Sequence, residues 1–259
     1  MSASGPPDLS FRYDDSGIHE TYDAARQLSP EARELWSRAL AGPLGRASTT
    51  FVVEVGCGTG RFLSLVRALS RAAICGIDVS EAMLGVAARR AIPRAHLVRA
   101  SAEALPLRDG VAHVALLLFV YHHVGDKPAA LRELARVLGP GGRLVVGAPT
   151  RENLDSYPWM RFFPRARSLD WERMPARSSV IETGRQAGLA LEHLSTMEQP
   201  TAPSWPAYAK RIAMRGISTL RLLSDREFET GLAALTRCSA ARDPSDPVNE
   251  ELDLFVFRR

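Results

Sequence analysis

Lysine is almost missing from this chain: of its 33 basic residues only Lys127 and Lys210 are lysines, and the other 31 are arginines. No arginine run exceeds two, as in Arg89-Arg90 and Arg258-Arg259. Scattered, Arg-biased charge with a net of +4 looks more like the base composition of a genome than a phosphate-binding stripe, so no nucleic-acid partner is expected. Cysteine is scarce too. Cys57, Cys75 and Cys238 form no C-x-x-C pair and are odd in number, which excludes a full disulfide framework and fits a reducing compartment. Long apolar runs are absent: the longest, Val111 to Tyr121, contains His113 and falls far short of the ~20 residues a membrane helix needs. Met1 to Ser10 is polar and lacks the apolar core of a secretion signal. With 46% hydrophobic residues over 259 positions, the chain carries enough apolar surface for one large α/β domain and is not disordered. A cytoplasmic protein with no membrane insertion, monomeric or homodimeric, is the expectation.

The apolar pattern divides the chain. Residues 1–45 read as a helical N-terminal cap that begins near Leu9. In it Ser29 N-caps a helix with Pro30 at its first position and Ala32, Leu35, Trp36 and Leu40 on one face. Residues 46–259 read as the main domain. Phe51 to Val55, Ala73 to Ile77, His96 to Arg99, Val114 to Phe119 and Arg143 to Gly147 are strand-like runs. Helical periods lie between them, as in Phe62, Leu65, Val66 and Leu69, the helix capped by Ser80, and the one that stops at Gly139-Pro140. Strand-helix alternation implies a doubly wound, mostly parallel α/β sheet. Two later runs, around Leu189 to Leu194 and over Leu252 to Phe257, bring the expected strands to seven.

Two insertions interrupt this rhythm, at 150–176 and 198–249. The first is aromatic and Arg-rich, with Tyr157, Trp159, Phe162, Phe163 and Trp171. The second carries helices expected over Tyr208 to Leu223 and Ser224 to Leu235, the latter opened by a capping box from Ser224 to Glu227. A further capping box, Ser179 to Glu182, predicts a short helix between the insertions.

The segment richest in chemistry is Val52-Val53-Glu54-Val55-Gly56-Cys57-Gly58-Thr59-Gly60-Arg61-Phe62. A buried strand runs into three alternating glycines and then a helix. Glycines there permit positive φ and let a ligand touch the backbone, while free N–H groups at the helix start favour polar or anionic groups. The dinucleotide fingerprint G-x-G-x-x-G fails, because Arg61 occupies the place of its third glycine. Asp78 ends the second strand about 20 residues after the loop, where a carboxylate can accept both ribose hydroxyls of a nucleoside; the plainer alternative is that it helps to start the next helix.

These features resemble the class I S-adenosylmethionine-dependent methyltransferases of the type 11 group, similar to ubiquinone and menaquinone biosynthesis enzymes. The resemblance spans about Tyr22 to Ala148. It rests on Glu54 to Gly60, Gly76 to Met83, Ala102-Glu103-Ala104-Leu105-Pro106-Leu107, and Glu133-Leu134-Ala135-Arg136-Val137-Leu138-Gly139-Pro140-Gly141-Gly142. It implies a Rossmann-like seven-stranded sheet and S-adenosyl-L-methionine as cofactor, with S-adenosyl-L-homocysteine as product. It also implies cofactor contacts at Glu54, Gly56, Cys57, Gly58, Gly60, Asp78, Val79, Met83, Ala102, Glu103 and Leu118, with Tyr22 and Arg26 beside the cofactor carboxylate. Two departures stand out: His113 where the fourth strand of the family usually starts with aspartate, and apolar Leu117 and Leu118 at its end.

Methyl transfer from a sulfonium is an in-line displacement that needs alignment, exclusion of water and sometimes a base. His122 and His123, just after the fourth strand, are the candidate bases, or else a polar pair that positions the loop. Adjacent histidines cannot both face one metal in regular structure, so no metal site is expected. No N/D-P-P-Y/F tetrapeptide is present for exocyclic amino methylation of bases. A small organic acceptor, methylated at O, N or C, is the expectation. Arg161, Arg165 and Arg167 are candidates to meet an anionic one, and the aromatics either wall its pocket or pack the insertion. Two other classes stay open: a protein that binds S-adenosylmethionine structurally or for a pericyclic step, and a nicotinamide-dependent oxidoreductase.

Overall fold

The computed structural model describes residue 14 and residues 17–45 and 48–259. The stretch from Leu9 to Tyr13, where the cap was expected to begin, lies outside the described residues. Five parallel strands form the heart of the sheet: β1 (Phe51–Val55), β2 (Ala73–Asp78), β3 (Ala95–Arg99), β4 (Ala112–Leu118) and β5 (Leu138–Ala148). β6 (Ala190–Ala202) and β7 (Val248–Arg258) complete it as antiparallel strands. The order β3-β2-β1-β4-β5-β7-β6 reverses direction between β1 and β4, and a crevice opens at the carboxyl ends of the strands at such a point.

Both faces of the sheet are covered. α1 (Ile18–Arg26) and α2 (Pro30–Leu44) make up the described cap. Ser29 caps α2 by accepting the Ala32 N–H, and the fully buried Trp36 stands edge-on to Phe62 with ring centroids 4.9 Å apart. The Trp36 indole donates to Gln199 Oε1 on β6 at 2.7 Å, which ties the cap to the far edge of the sheet. α3 (Arg61–Leu69) shares that face. α4 (Glu81–Arg89), capped by Ser80, follows β2. On the opposite face lie α5 (Lys127–Val137) and α7 (Arg177–Gln186), through Leu131, Leu134 and Val180.

The two insertions form a third apolar cluster of their own. In the first, two 3-10 segments (Arg151–Ser156 and Pro158–Phe162) lead into α6 (Pro164–Arg173). In the second, α8 (Trp205–Ala213), a 3-10 segment (Ser218–Leu222) and α9 (Asp225–Ala240) follow. Trp159 and Phe163 of the first pack with Tyr208, Leu220, Phe228 and Leu235 of the second.

Four sequence expectations need correction. Residues 198–202 belong to β6 rather than to the second insertion. The helix expected over Tyr208 to Leu223 is broken: α8 ends at Ala213, and Arg215 adopts φ +51°. α7 begins at Arg177 instead of being capped by Ser179, because the Arg177 N–H is held by the Glu152 carboxylate at 3.0 and 3.1 Å. Trp171 is half exposed, beside Arg151, and takes no part in the packing of the insertion.

Candidate active site

The glycine loop leaves β1 and enters α3 through three left-handed glycines, Gly56, Gly58 and Gly60. They do different work. A Cβ on Gly56 would collide with the Val120 side chain at 2.3 Å, so this glycine lets the end of β4 close on the loop. A Cβ on Gly58, at φ +52°, would meet nothing within 4 Å. No protein atom accounts for its lack of a side chain beyond the backbone angle, and the space before it is a cavity.

Asp78 holds that loop. Its Oδ2 accepts the Gly58 N–H at 2.8 Å and its Oδ1 accepts the Ser80 N–H at 2.9 Å. Burial pushes its carboxyl above the ordinary value, against the pull of these two N–H donors. Each oxygen keeps a second lone pair. The plainer reading, a start signal for α4, is met only in part: Ser80 is the cap of that helix, and Asp78 braces the turn before it.

The cavity in front of Asp78 measures about 260 Å³. It brings together ten of the expected site residues: Tyr22, Gly56, Gly58, Asp78, Val79, Met83, Ala102, Glu103, Leu118 and His123. Val79 is 59% exposed, unusual for an aliphatic side chain at a strand end, and offers an apolar face to it. Glu54, Cys57 and Gly60 do not line it. Glu54 is buried on β1 between Gly76 of β2 and Leu116 of β4, and burial pushes its carboxyl up to about 8. Cys57 turns into the apolar cluster with Phe62 and Leu63, and Gly60 backs onto Ala87 of α4. His113 is exposed, at an irregularity in β4, and is remote from the cavity wall.

Sequence reasoning missed Phe119, Val120 and Val124 in the wall, with Ala100 and Ser101. The available signal was their position at or just after the ends of β3 and β4. Phe119 adopts φ +58°, an uncommon angle for a bulky residue and a frequent mark of a working site.

A second, smaller cavity of about 60 Å³ adjoins the first, and Tyr22, Phe119 and His123 line both. Arg26 and His122, expected at the cofactor and the chemistry, line this second cavity and not the first. The insertions contribute Tyr157, Trp159, Met160, Asp170 and Met174 from one side and Arg211, Ser218 and Thr219 from the other. Arg161, Arg165 and Arg167 point elsewhere: all three are exposed, with Arg165 paired to Glu227 and Arg167 to Asp155.

The two histidines form a 3-10 turn with Tyr121, their ring centroids 4.1 Å apart. Arg173 of α6 reaches His123 Nδ1 at 3.3 Å. A guanidinium only donates, so Nδ1 is the acceptor and the His123 proton sits on Nε2. Burial, then the cations Arg173, Arg26 and Lys127, hold His123 down to about 3. Burial and His123 hold His122 well below its ordinary value. Both rings are therefore neutral at physiological pH, and both are weak bases. Arg173 is in turn fixed by Thr219 Oγ1 at 2.7 Å, which donates to Asp170 Oδ1 at 2.5 Å. Burial raises Asp170 to about 6.

A mostly parallel sheet of this order, with a glycine loop and an acidic residue braced together at the switch point, defines a doubly wound α/β protein with a ligand crevice at its strand ends. The comparisons narrow the class. Residues 53–146 match the methyltransferase domain family. The chain is 30% identical to a demethylmenaquinone methyltransferase of Mycolicibacterium gilvum over 238 residues, which cover 89% of this chain and 93% of that one. It is 28% identical to the 27-O-demethylrifamycin SV methyltransferase of Amycolatopsis mediterranei, over 83% of this chain and 81% of that one. A solved structure from an antibiotic biosynthesis pathway of Anabaena variabilis shares the fold with a TM-score of 0.72 at 17% identity, over 86% of this chain and 96% of that one.

The chain belongs to the class I S-adenosylmethionine-dependent methyltransferases of the type 11 group. It is an enzyme of methyl transfer, which decides between that reading and the nicotinamide-dependent one.

Proposed function

We propose that the larger cavity holds S-adenosylmethionine and the smaller one a small organic acceptor, with Tyr22, Phe119 and His123 as the wall between them. The observation that carries this reading is the adjacency itself: one cavity built on the strand ends, the next roofed by both insertions, and three residues common to both. Asp78 would take the ribose hydroxyls on its free lone pairs, and Val79, Met83 and Leu118 would flank the adenine beside Ala102 and Glu103. Gly58 would let the methionine part lie against the backbone, with Tyr22 nearby; Arg26, which lines the smaller cavity and not the larger, is left to the acceptor side. When bound, the cofactor supplies an electrophilic methyl on a sulfonium.

The protein's own part is to align, enclose and exclude water. His123, its proton held on Nε2 by Arg173, orients by donation rather than by removing a proton. His122, whose Nδ1 has no partner among the described residues, lies on the acceptor side but is held by burial as too weak a base to take a proton from an ordinary acceptor. The smaller cavity, at about 60 Å³, is well under the ~150 Å³ void that houses benzene in a protein core. The insertions therefore act as a lid that opens for the acceptor and closes for reaction. Demethylmenaquinone and 27-O-demethylrifamycin SV, for which the two relatives are named, are small organic molecules, which supports that acceptor class here. Among the described residues no helix is long and apolar enough to cross a membrane; the cytoplasm suits the three free thiols.

Calorimetry with S-adenosylhomocysteine tests the placement. Saturable binding that a competing adenosine displaces is the expected result. Binding that survives intact in Asp78→Ala would remove the ribose assignment.

A further inference from the structure

Three guanidiniums converge on the smaller cavity, those of Arg26, Arg61 and Arg211, and none of them forms an ion pair among the described residues. Their hydrogen bonds go to neutral carbonyls instead. Arg61 donates to the Arg26 carbonyl, and Arg211 donates to the Thr201 carbonyl at 2.6 Å and the Gln27 carbonyl at 3.4 Å. Arg26 Nε is buried with no partner, and so is Trp159 Nε1 on the same wall. Both atoms are donors.

The cavity has two carboxylates, and one is already matched. Asp170 lies 3.6 Å from Arg173, the two forming a buried pair. Glu250 accepts the Tyr208 hydroxyl at 2.7 Å and faces Arg211, while Arg61 feels Glu54 and Asp23 from outside the cavity lining. Burial first, and then the neighbouring Arg26, lowers Arg211 to about 10, against the pull of Glu250. A sulfonium cofactor next door would add a further positive charge. An unpaired buried charge is costly unless a partner arrives.

We propose that the acceptor enters this cavity already ionised at oxygen, as a phenolate or enolate borne on a ring, and that Arg26, Arg61 and Arg211 hold the oxyanion. The proposal rests on the reading of the smaller cavity as the acceptor site and extends it. It also fits the weak bases. An acceptor that arrives as an oxyanion brings its own electron pair. The new bond to methyl forms with that pair, the sulfur–methyl bond breaks with its electrons left on sulfur, and no proton passes from oxygen to a histidine. Apolar walls from Phe119, Trp159 and Met174 suit the ring.

The test uses two probes of nearly equal shape, 4-nitrophenol and 4-nitroaniline, on the full chain saturated with S-adenosylhomocysteine near neutral pH. Only the ionised form of 4-nitrophenol is yellow, so its colour reports the protonation state of the bound probe. The expected result is that bound 4-nitrophenol is yellow at a pH where the free probe is largely colourless, and that it binds about tenfold or more tightly than 4-nitroaniline. Arg211→Met should lose this preference and Arg211→Lys should retain most of it, with melting curves showing that both fold. Equal binding of the two probes, or a bound nitrophenol that stays colourless, overturns the anionic acceptor while leaving the cavity as the acceptor site. If neither probe binds to the cofactor-loaded protein, the acceptor-site reading falls and takes this proposal with it.

Discussion

Replacing Gly58 by alanine separates what the fold needs from what the cofactor needs. At φ +52° an alanine pays a left-handed backbone cost of about 1–2 kcal/mol, and nothing in the protein lies within 4 Å of the new Cβ. In a chain of this size each kcal/mol lowers the melting temperature by roughly 2–4 °C, so the folded protein should survive with a loss of about 2–8 °C. Gly141, at φ +72° with open space before its own Cβ, carries the same backbone cost in β5, where its N–H donates to the Arg259 carbonyl at 3.2 Å. Gly141→Ala should therefore melt like Gly58→Ala yet bind S-adenosylhomocysteine like the wild type. Gly58→Ala should bind at least about tenfold more weakly, since its methyl occupies the ligand's side of the loop, and Gly58→Val should not bind measurably. Calorimetry and thermal melting on the three variants decide the matter. A Gly58→Ala protein with wild-type affinity would refute the idea that the cofactor rests on this backbone.

Asp78→Ala should weaken S-adenosylhomocysteine by about 1.5–3 kcal/mol, roughly a 10- to 150-fold rise in Kd; calorimetry that shows no change would show that the carboxylate serves only Gly58 and Ser80. Hydrogen exchange should slow in residues 150–176 and 205–240 when S-adenosylhomocysteine and 4-nitrophenol are both present; protection confined to Gly56 through Asp78 would mean that the insertions are not a lid. Glu54 rises from 4.5 to about 8 on folding. The folded chain thus holds a proton that the unfolded chain releases, and stability from this group falls as pH rises between those values. Glu54→Gln should flatten that loss in melting temperature, and parallel pH curves for the two proteins would contradict it.

How much of this was legible in the sequence depended on how local the cause was. β1 and β4 announce themselves as apolar runs, and Ser29, Ser80 and Ser224 cap the helices they precede because the cap bond is made within three residues. The proposed cofactor site drew on the same kind of signal: Gly56, Gly58 and Asp78 lie at ends of consecutive strands, so topology alone gathers them around one cavity. The smaller cavity, proposed for the acceptor, was not readable. Arg26, Asp170, Arg211 and Glu250 come from four distant segments, and only the docking of the insertions brings them together. Ser179 failed as a cap because Glu152, 25 residues earlier, reaches the same N-terminus. Glu54 and Cys57 carry the motif's chemistry in name, but strand alternation and the turn of the loop send both side chains inward, away from the larger cavity.

The most direct measurement of the account as a whole is the fate of a labelled methyl group. S-Adenosylmethionine carrying a deuterated methyl, incubated with the protein and a small-molecule extract of cells, should yield a labelled small-molecule product by mass spectrometry. S-Adenosylhomocysteine should form in equal amount, and Gly58→Ala should form neither. Cofactor that binds tightly yet releases no S-adenosylhomocysteine with any extract, or label found only in protein or nucleic acid, would contradict it.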